Sequence, residues 1–225
     1  MGVAIMAAGT DASAYANNYI PPVSGPLAWA NLESDALPSA RRLKNFGSLG
    51  GSFVLSGIAQ LASIGVTAAA GTDSRLTLGS FINQDKYTVI ALVDVGTDAS
   101  ILRHRNIRIS TNSSKKLQRV MDSGTSVSDI TAPSSGAFVV FLNGDSTGHA
   151  FGILTASGIQ KSTSSAANSG TTSTWIGGSN LAGAAAAWAG YGAAVYDRKL
   201  SDSEMESVAD RLIKRARYLG VTVNG

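Results

Sequence analysis

Three glutamates, Glu33, Glu204 and Glu206, and two histidines, His104 and His149, are the natural candidates for acid–base work in this 225-residue chain. Retaining hydrolysis of a glycosidic bond needs two carboxylates ~5 Å apart, which one strand supplies from i and i+2 or i+4 positions. No glutamate occurs between residues 34 and 203, so the central strands carry no Glu-x-Asp-x-Glu arrangement. Asp94 and Asp98 are four apart, but Gly96-Thr97-Asp98 reads as the loop after a strand. His149 reads as an edge or half-buried histidine near a turn, and neither a His-Glu-x-x-His motif nor a phosphate-binding Gly-Lys-Ser/Thr is found. With no cysteine, thiolate zinc sites, iron–sulfur clusters and cysteine nucleophiles are excluded together. A Tyr/His lyase survives the residue counts, but no motif draws such residues together. The expectation is a protein that is not an enzyme and needs no cofactor. Calcium is the one ion with candidate ligands, in Asp94, Asp98 and Asp122, whose spacing does not define a site.

Binding chemistry is better represented. Arg103, Arg105, Arg108, Lys115, Lys116 and Arg119 put six of the 18 Lys and Arg residues within 17 positions, with a turn expected at 103–106. Such a cluster suits a polyanion: an acidic polysaccharide, a nucleic acid or an acidic neighbouring subunit. It also suits a solvated hairpin. The absence of interleaved aromatic residues disfavours nucleic acid, which needs stacking platforms. Glycan recognition uses aromatic faces beside polar groups, and Trp29, Trp175, Trp188 and Tyr191 are the candidates. Each lies in an apolar run, so core packing is the competing reading.

These groups must be positioned by strands. Hydrophobic content of 44% with 15% charged residues supplies a core and excludes disorder throughout. Short apolar runs at 26–30, 51–55, 75–78, 87–95, 106–110, 117–121, 137–142, 150–155, 173–177 and 186–196 alternate with Gly, Ser, Asn and Asp clusters. That rhythm predicts an all-β jelly-roll sandwich of two antiparallel sheets. Tyr87–Val95 scarcely alternates, which predicts a central strand covered on both faces. Asn143-Gly144-Asp145 reads as a hairpin turn, and 157–174 as a polar loop or irregular edge. Ser201-Asp202-Ser203-Glu204 is a capping box. Behind it Met205, Val208, Ala209, Leu212, Ile213 and Ala216 form one apolar stripe, so an amphipathic helix is expected over about 202–219. No run reaches the ~20 apolar residues of a membrane-spanning helix.

Residues 1–25 read as an extended N-terminal arm, ended by Ile20-Pro21-Pro22-Val23-Ser24-Gly25-Pro26, preceding a domain over 26–225. Ile5, Met6, Tyr15, Tyr19 and Ile20 are too apolar for a purely solvated tail and suggest contacts with a neighbouring subunit, as does the basic cluster. The N-terminus lacks the basic start of a secretory signal peptide, which fits a bacterial or viral protein made in the bacterial cytoplasm and disfavours export by a standard signal.

The stretch from Gly190 to Glu204, with Tyr196-Asp197-Arg198-Lys199-Leu200-Ser201-Asp202-Ser203-Glu204 at its centre, resembles the closing signature of the concanavalin A-like lectin/glucanase (laminin G-like) superfamily. Trp175-Ile176-Gly177-Gly178 resembles the strand that often precedes it. Pro26-Leu27-Ala28-Trp29 is similar to the opening strand of versions found in tailed-bacteriophage virion proteins. The helix is longer here than is usual in that family. The resemblance implies the sandwich and a structural virion component of the tail, baseplate or head surface, acting through self-assembly and contacts with other virion proteins. Host-surface polysaccharide adhesion is compatible with that role; a free-standing carbohydrate-binding module and a polysaccharide-degrading enzyme are the alternatives.

Overall fold

The computed structural model describes residues 20–71, 73–79, 85–121, 123–155, 157–166, 173–178 and 186–224. Ile5, Met6, Tyr15 and Tyr19 of the expected arm, and Asp122 of the calcium set, lie outside the described residues.

Fifteen strands are described: β1 (Ala28–Ala30), β2 (Val54–Ser56), β3 (Gln60–Leu61), β4 (Val66–Ala68), β5 (Arg75–Gly79), β6 (Tyr87–Val95), β7 (Ser100–His104), β8 (Ile107–Thr111), β9 (Lys116–Met121), β10 (Gly124–Thr131), β11 (Phe138–Asp145), β12 (Gly148–Thr155), β13 (Gly158–Ser164), β14 (Thr174–Gly177) and β15 (Trp188–Tyr196). Two helices accompany them, α1 (Ser39–Arg42) and α2 (Asp202–Tyr218). The first sheet runs β13-β12-β11-β6-β15-β4-β3, with β1 also paired to β15. The second runs β10-β9-β8-β7-β14-β5-β2. Every pairing between these strands is antiparallel. The expected two-sheet sandwich with a C-terminal amphipathic helix is the fold, and no helix among the described residues is long and apolar enough to cross a membrane.

The lost alternation of β6 has a direct cause. Val89, Ala91 and Val93 join the core between the sheets, with Leu76, Leu102, Ile109, Val140 and Ile176. Ile90 and Leu92 face the other way, into a second core under α2 with Trp29, Phe141, Tyr196, Met205, Val208 and Leu212. A strand buried on both faces has no polar side to show.

Two sequence expectations change at the hairpins. Asn143 and Gly144 are strand residues, paired with Ala150 and His149, so the turn falls at Ser146-Thr147 instead of 143–145. Asp145 accepts from the Thr147 amide (2.8 Å) and hydroxyl (2.6 Å), which shapes the turn one step later than Asn-Gly implied. Within 157–174, read as a polar loop or irregular edge, residues 158–164 form the regular edge strand β13, because its register with β12 satisfies its backbone along one side.

At the start of α2 the Ser201 hydroxyl accepts from the Glu204 amide (3.3 Å), and Glu204 Oε2 accepts from the Ser201 amide (2.9 Å). Arg198 donates both guanidinium arms to the same carboxylate, at 2.7 and 3.1 Å. Those Arg198 bonds, and then the Ser201 amide, pull the Glu204 carboxyl down to about 2. Replacing Ser201 with alanine is expected to cost about 1 kcal/mol in a urea denaturation series. An unchanged midpoint would mean that the cap contributes nothing to holding the helix start.

Candidate functional site: the cationic face of the second sheet

The groups first considered for acid–base chemistry are dispersed. His104 is fully buried between the sheets, with Nδ1 2.7 Å from the Thr174 hydroxyl and its ring 4.4 Å from that of Tyr87. Burial, and secondarily the charge of Arg105, lowers its pKa to about 3, so it stays neutral through the physiological range. His149 is buried in β12, and its Nδ1 lies 3.0 Å from the Ala166 carbonyl oxygen. Glu33 is buried against Arg215, Glu204 is the helix cap, and Glu206 is exposed on α2. Asp98 sits in a turn after β6 at φ 53, as its loop reading required. Among the described residues, no group of three His, Asp or Glu side chains could hold a metal ion.

One motif escaped the sequence reading. Gly144-Asp145-Ser146-Thr147-Gly148 has the spacing Gly-x-Ser-x-Gly. A nucleophile elbow needs that serine on a strand-to-helix turn. Here the five residues span the β11–β12 hairpin and Ser146 is at its exposed tip. His149, three residues on, directs Nδ1 to the Ala166 carbonyl.

The aromatic candidates divide sharply. Trp29 lies at 0% exposure in the core under α2, and Trp188 at 4% in the core between the sheets, with its Nε1 donating to the Ser74 carbonyl at 2.9 Å. Both occupy the packing positions that their apolar runs implied. Tyr191 is half-buried against the core under α2, and burial raises its hydroxyl pKa.

Trp175 is different. Only 8% of it is exposed, yet it belongs to neither core. Its neighbour Ile176 points between the sheets, so strand alternation turns Trp175 to the outer face of the second sheet. There the pairing of β14 sets it opposite Arg103 on β7 and Thr77 on β5, and Arg103 in turn opposite Arg108 on β8. The guanidinium carbons of Arg75 and Arg103, from the two flanking strands, lie 4.7 and 4.9 Å from the indole ring centre. Their stacking on the ring accounts for its low exposure, and each contributes roughly 0.5–1 kcal/mol of cation–π attraction at an exposed site. Arg103 Nε also donates to the Arg105 carbonyl (2.9 Å), at the turn where Arg105 takes φ 57. Next to Trp175 the backbone of Gly177, at φ +82, lets the Trp188 ring approach so closely that a Cβ would stand 2.3 Å from it.

The basic cluster read from the sequence therefore separates by function. Arg103 and Arg108 stay on the outer face, and Arg75, 28 positions before Arg103, joins them. Lys115 turns its ammonium to the carbonyls of Val95, Pro133 and Ser134 (2.8–3.3 Å) and ties loops together. Lys116 pairs with Asp129 at 3.3 Å. Arg119 points inward with Ile109 and Leu117, donating to the Ser164 hydroxyl of the first sheet at 2.6 Å. Strands β2, β5, β7, β8, β9 and β14 carry Arg75, Arg103, Arg108, Lys116 and Arg119 and no Asp or Glu. The expected lack of an aromatic partner is corrected: Trp175 interleaves with these arginines, brought from a strand about 70 residues on. Only the sheet register reveals it.

No protein-family model matches the sequence, and no curated protein matches it at a significant level. Among solved structures the fold is similar to a Trypanosoma rangeli sialidase in complex with a difluorinated KDN (TM-score 0.62, 11% identity, 86% of this chain and 33% of that one). It is also similar to the binding domain of botulinum neurotoxin DC in complex with rat synaptotagmin II (TM-score 0.60, 8% identity, 84% and 52%). The binding domain of botulinum neurotoxin DC in complex with SialylT matches at TM-score 0.58 with 10% identity, over 83% of this chain and 50% of that one. The chain spans about a third of the sialidase and half of the toxin binding domain. These likenesses are to β-sandwich folds.

Proposed function

We propose that this domain is a non-enzymatic adhesion module that holds an acidic glycan on the outer face of the second sheet. The observation that carries the reading is Trp175 flanked by Arg75 and Arg103 on strands that hold no carboxylate, with Asp73, just before β5 and 3.8 Å from Arg75, as the acidic neighbour. Stacking on the indole restrains both guanidiniums, and planar forked donors match carboxylate or sulfate groups bidentately. The ring has its faces taken up by the protein's own arginines. That leaves no open platform for a nucleic-acid base or a neutral sugar, which favours recognition by charge. The toxin binding domain in complex with SialylT and the sialidase in complex with a difluorinated KDN, matched over half and a third of their chains, lend support to the same class. The setting implied by the sequence resemblance, a tailed-bacteriophage virion surface that meets host polysaccharide, is part of the proposal; assembly contacts of the arm belong with it.

The test is binding of polysialic acid and of neutral dextran to immobilised protein at two salt concentrations. Polysialic acid should bind and weaken as salt rises, while dextran should not bind. Arg75→Ala or Arg103→Ala should each weaken binding roughly 10-fold or more, as expected for a lost charge-assisted hydrogen bond. Arg103→Lys should recover only part. Equal binding by the arginine variants, or cleavage of the glycan into shorter chains, would overturn the reading.

A further inference from the structure

A second concavity lies on the opposite side of the sandwich, where the start of α2 overhangs the β12–β13 hairpin. It has a volume of about 430 Å³, within the range of small-ligand sites, ~300–1,000 Å³. Its origin is a run of small residues. Ala150 and Gly152 alternate on the face of β12 that turns toward the helix layer, paired with Thr163 and Lys161 of β13. A Cβ at Gly152 would stand 1.9 Å from the Gln160 carbonyl oxygen, so close pairing with β13 requires glycine there. The helix begins only at Asp202, and its first apolar side chain, Met205, covers the neighbouring strand instead.

The lining combines three kinds of group. Lys161 and Lys199 each carry an ammonium held by one carboxylate, Asp202 at 2.7 Å and Asp145 at 3.2 Å. An ammonium has three donors, so each lysine retains donors beyond its aspartate. Thr147 and Thr163 add hydroxyls, and Asp202 adds an acceptor. Ala150, Leu200 and Met205 provide an apolar floor. His149, at the start of β12, borders one end, its ring turned toward the core between the sheets with Nδ1 3.0 Å from the Ala166 carbonyl oxygen. Two ammoniums, each with donors left beyond its own aspartate, lie beside the positive end of a 17-residue helix and can take an anionic group. Hydroxyls and the Asp202 carboxylate favour a polyol, and the floor favours the C–H face of a ring.

We infer that this groove is a binding site for one acidic sugar unit, whose carboxylate lies between Lys161 and Lys199 and whose hydroxyls meet Asp202, Thr147 and Thr163. It is separate from the Trp175 face, on the other sheet, and does not depend on it.

The inference is tested with free N-acetylneuraminic acid and free galacturonic acid, titrated into the full chain and followed by amide NMR shifts. Galactose serves as the neutral comparison and acetate as the bare carboxylate. At least one acidic sugar should shift the amides of Thr147, His149, Thr163 and Asp202 saturably, with a Kd of about 1 mM, and more tightly than galactose or acetate. Lys199→Met and Lys161→Met should each weaken it roughly 10-fold. Ala150→Leu, which fills the floor, should abolish the shifts while leaving the rest of the spectrum in place. Arg103→Ala, which tests the other face, should leave them unchanged. Shifts that survive both lysine variants, that appear equally with acetate, or that never appear at the groove would each overturn the site. Loss of polysialic acid binding in the arginine variants with groove binding intact would leave the two sites independent, as stated.

Discussion

Replacing Glu33 with alanine is expected to destabilise the protein by roughly 3–5 kcal/mol, because it strands a buried guanidinium. Glu33 follows β1 and its carboxylate pairs with Arg215 of α2; their side chains are only 5% and 8% exposed. The Glu33 carbonyl also accepts from Arg42 Nε (2.9 Å), and Arg42 reaches on to the carbonyls of Ala62 (2.5 Å) and Gly65 (3.1 Å). One charged pair thus holds the last turns of the helix to the loop region beside the first sheet. Removing one partner removes the attraction and leaves the desolvation cost of the other. Replacing both Glu33 and Arg215 with leucine should therefore cost less than Glu33→Ala alone. Urea midpoints of the two variants provide the comparison. A loss below about 1 kcal/mol for Glu33→Ala would place the pair among solvated surface bridges.

Acid should weaken the fold well before the carboxylates titrate. His104 has a native pKa of about 3, set first by burial and then by the charge of Arg105. An unfolded histidine titrates near 6.5. Above that pH both states are neutral and the residue has no effect on stability. Between 6.5 and 3 the unfolded chain takes up a proton that the native fold refuses, so stability falls by about 1.4 kcal/mol per pH unit. Below 3 both states are charged and the fall ceases. His149 acts in the same direction, because burial also lowers its pKa; its Nε2 has no hydrogen-bond partner among the described residues to welcome the charge. The Glu204 carboxyl, held at about 2, contributes only in the lower window, as pH drops from the ordinary glutamate range. Urea midpoints at pH 7, 5.5 and 4.5 should slope downward, and His104→Gln should flatten that slope. Parallel slopes for the two proteins would exclude His104 as the cause.

The elements that the sequence exposed most clearly are those whose burial pattern is written in consecutive residues. Helix α2 announces itself through Ser201, Glu204 and a stripe on one side, and β6 through nine residues with scarcely a polar break. Strands β3, β4, β7, β10 and β13 were harder, for different reasons. β3 and β4 have only two and three residues, too few for a period. β10 begins with four exposed residues and β13 is an exposed edge, so neither shows an apolar alternation. At the candidate site the cations were legible, but their sorting was not. Lys115 and Arg119 look like Arg103 and Arg108 in a string of letters; only the pleat sends Arg119 inward, and only the turn at Lys115 (φ 56) brings its ammonium to three carbonyls. Trp175 could be read as core because it stands beside Ile176, and its partnership with Arg75 and Arg103 depends on pairings far apart in the chain.

The double burial of β6 also bears on how the chain is made. Its partners arrive late: β11 begins about 45 residues after β6 ends, and β15 about 50 residues later still. The outer surface of that sheet, with Ile90, Phe141 and Leu154, is synthesised before the helix that covers it. A ribosome-bound chain that has completed β12 carries this apolar sheet surface uncovered, and pairings so distant in sequence close slowly. That surface can be covered only once α2, the last of the described elements, has been made.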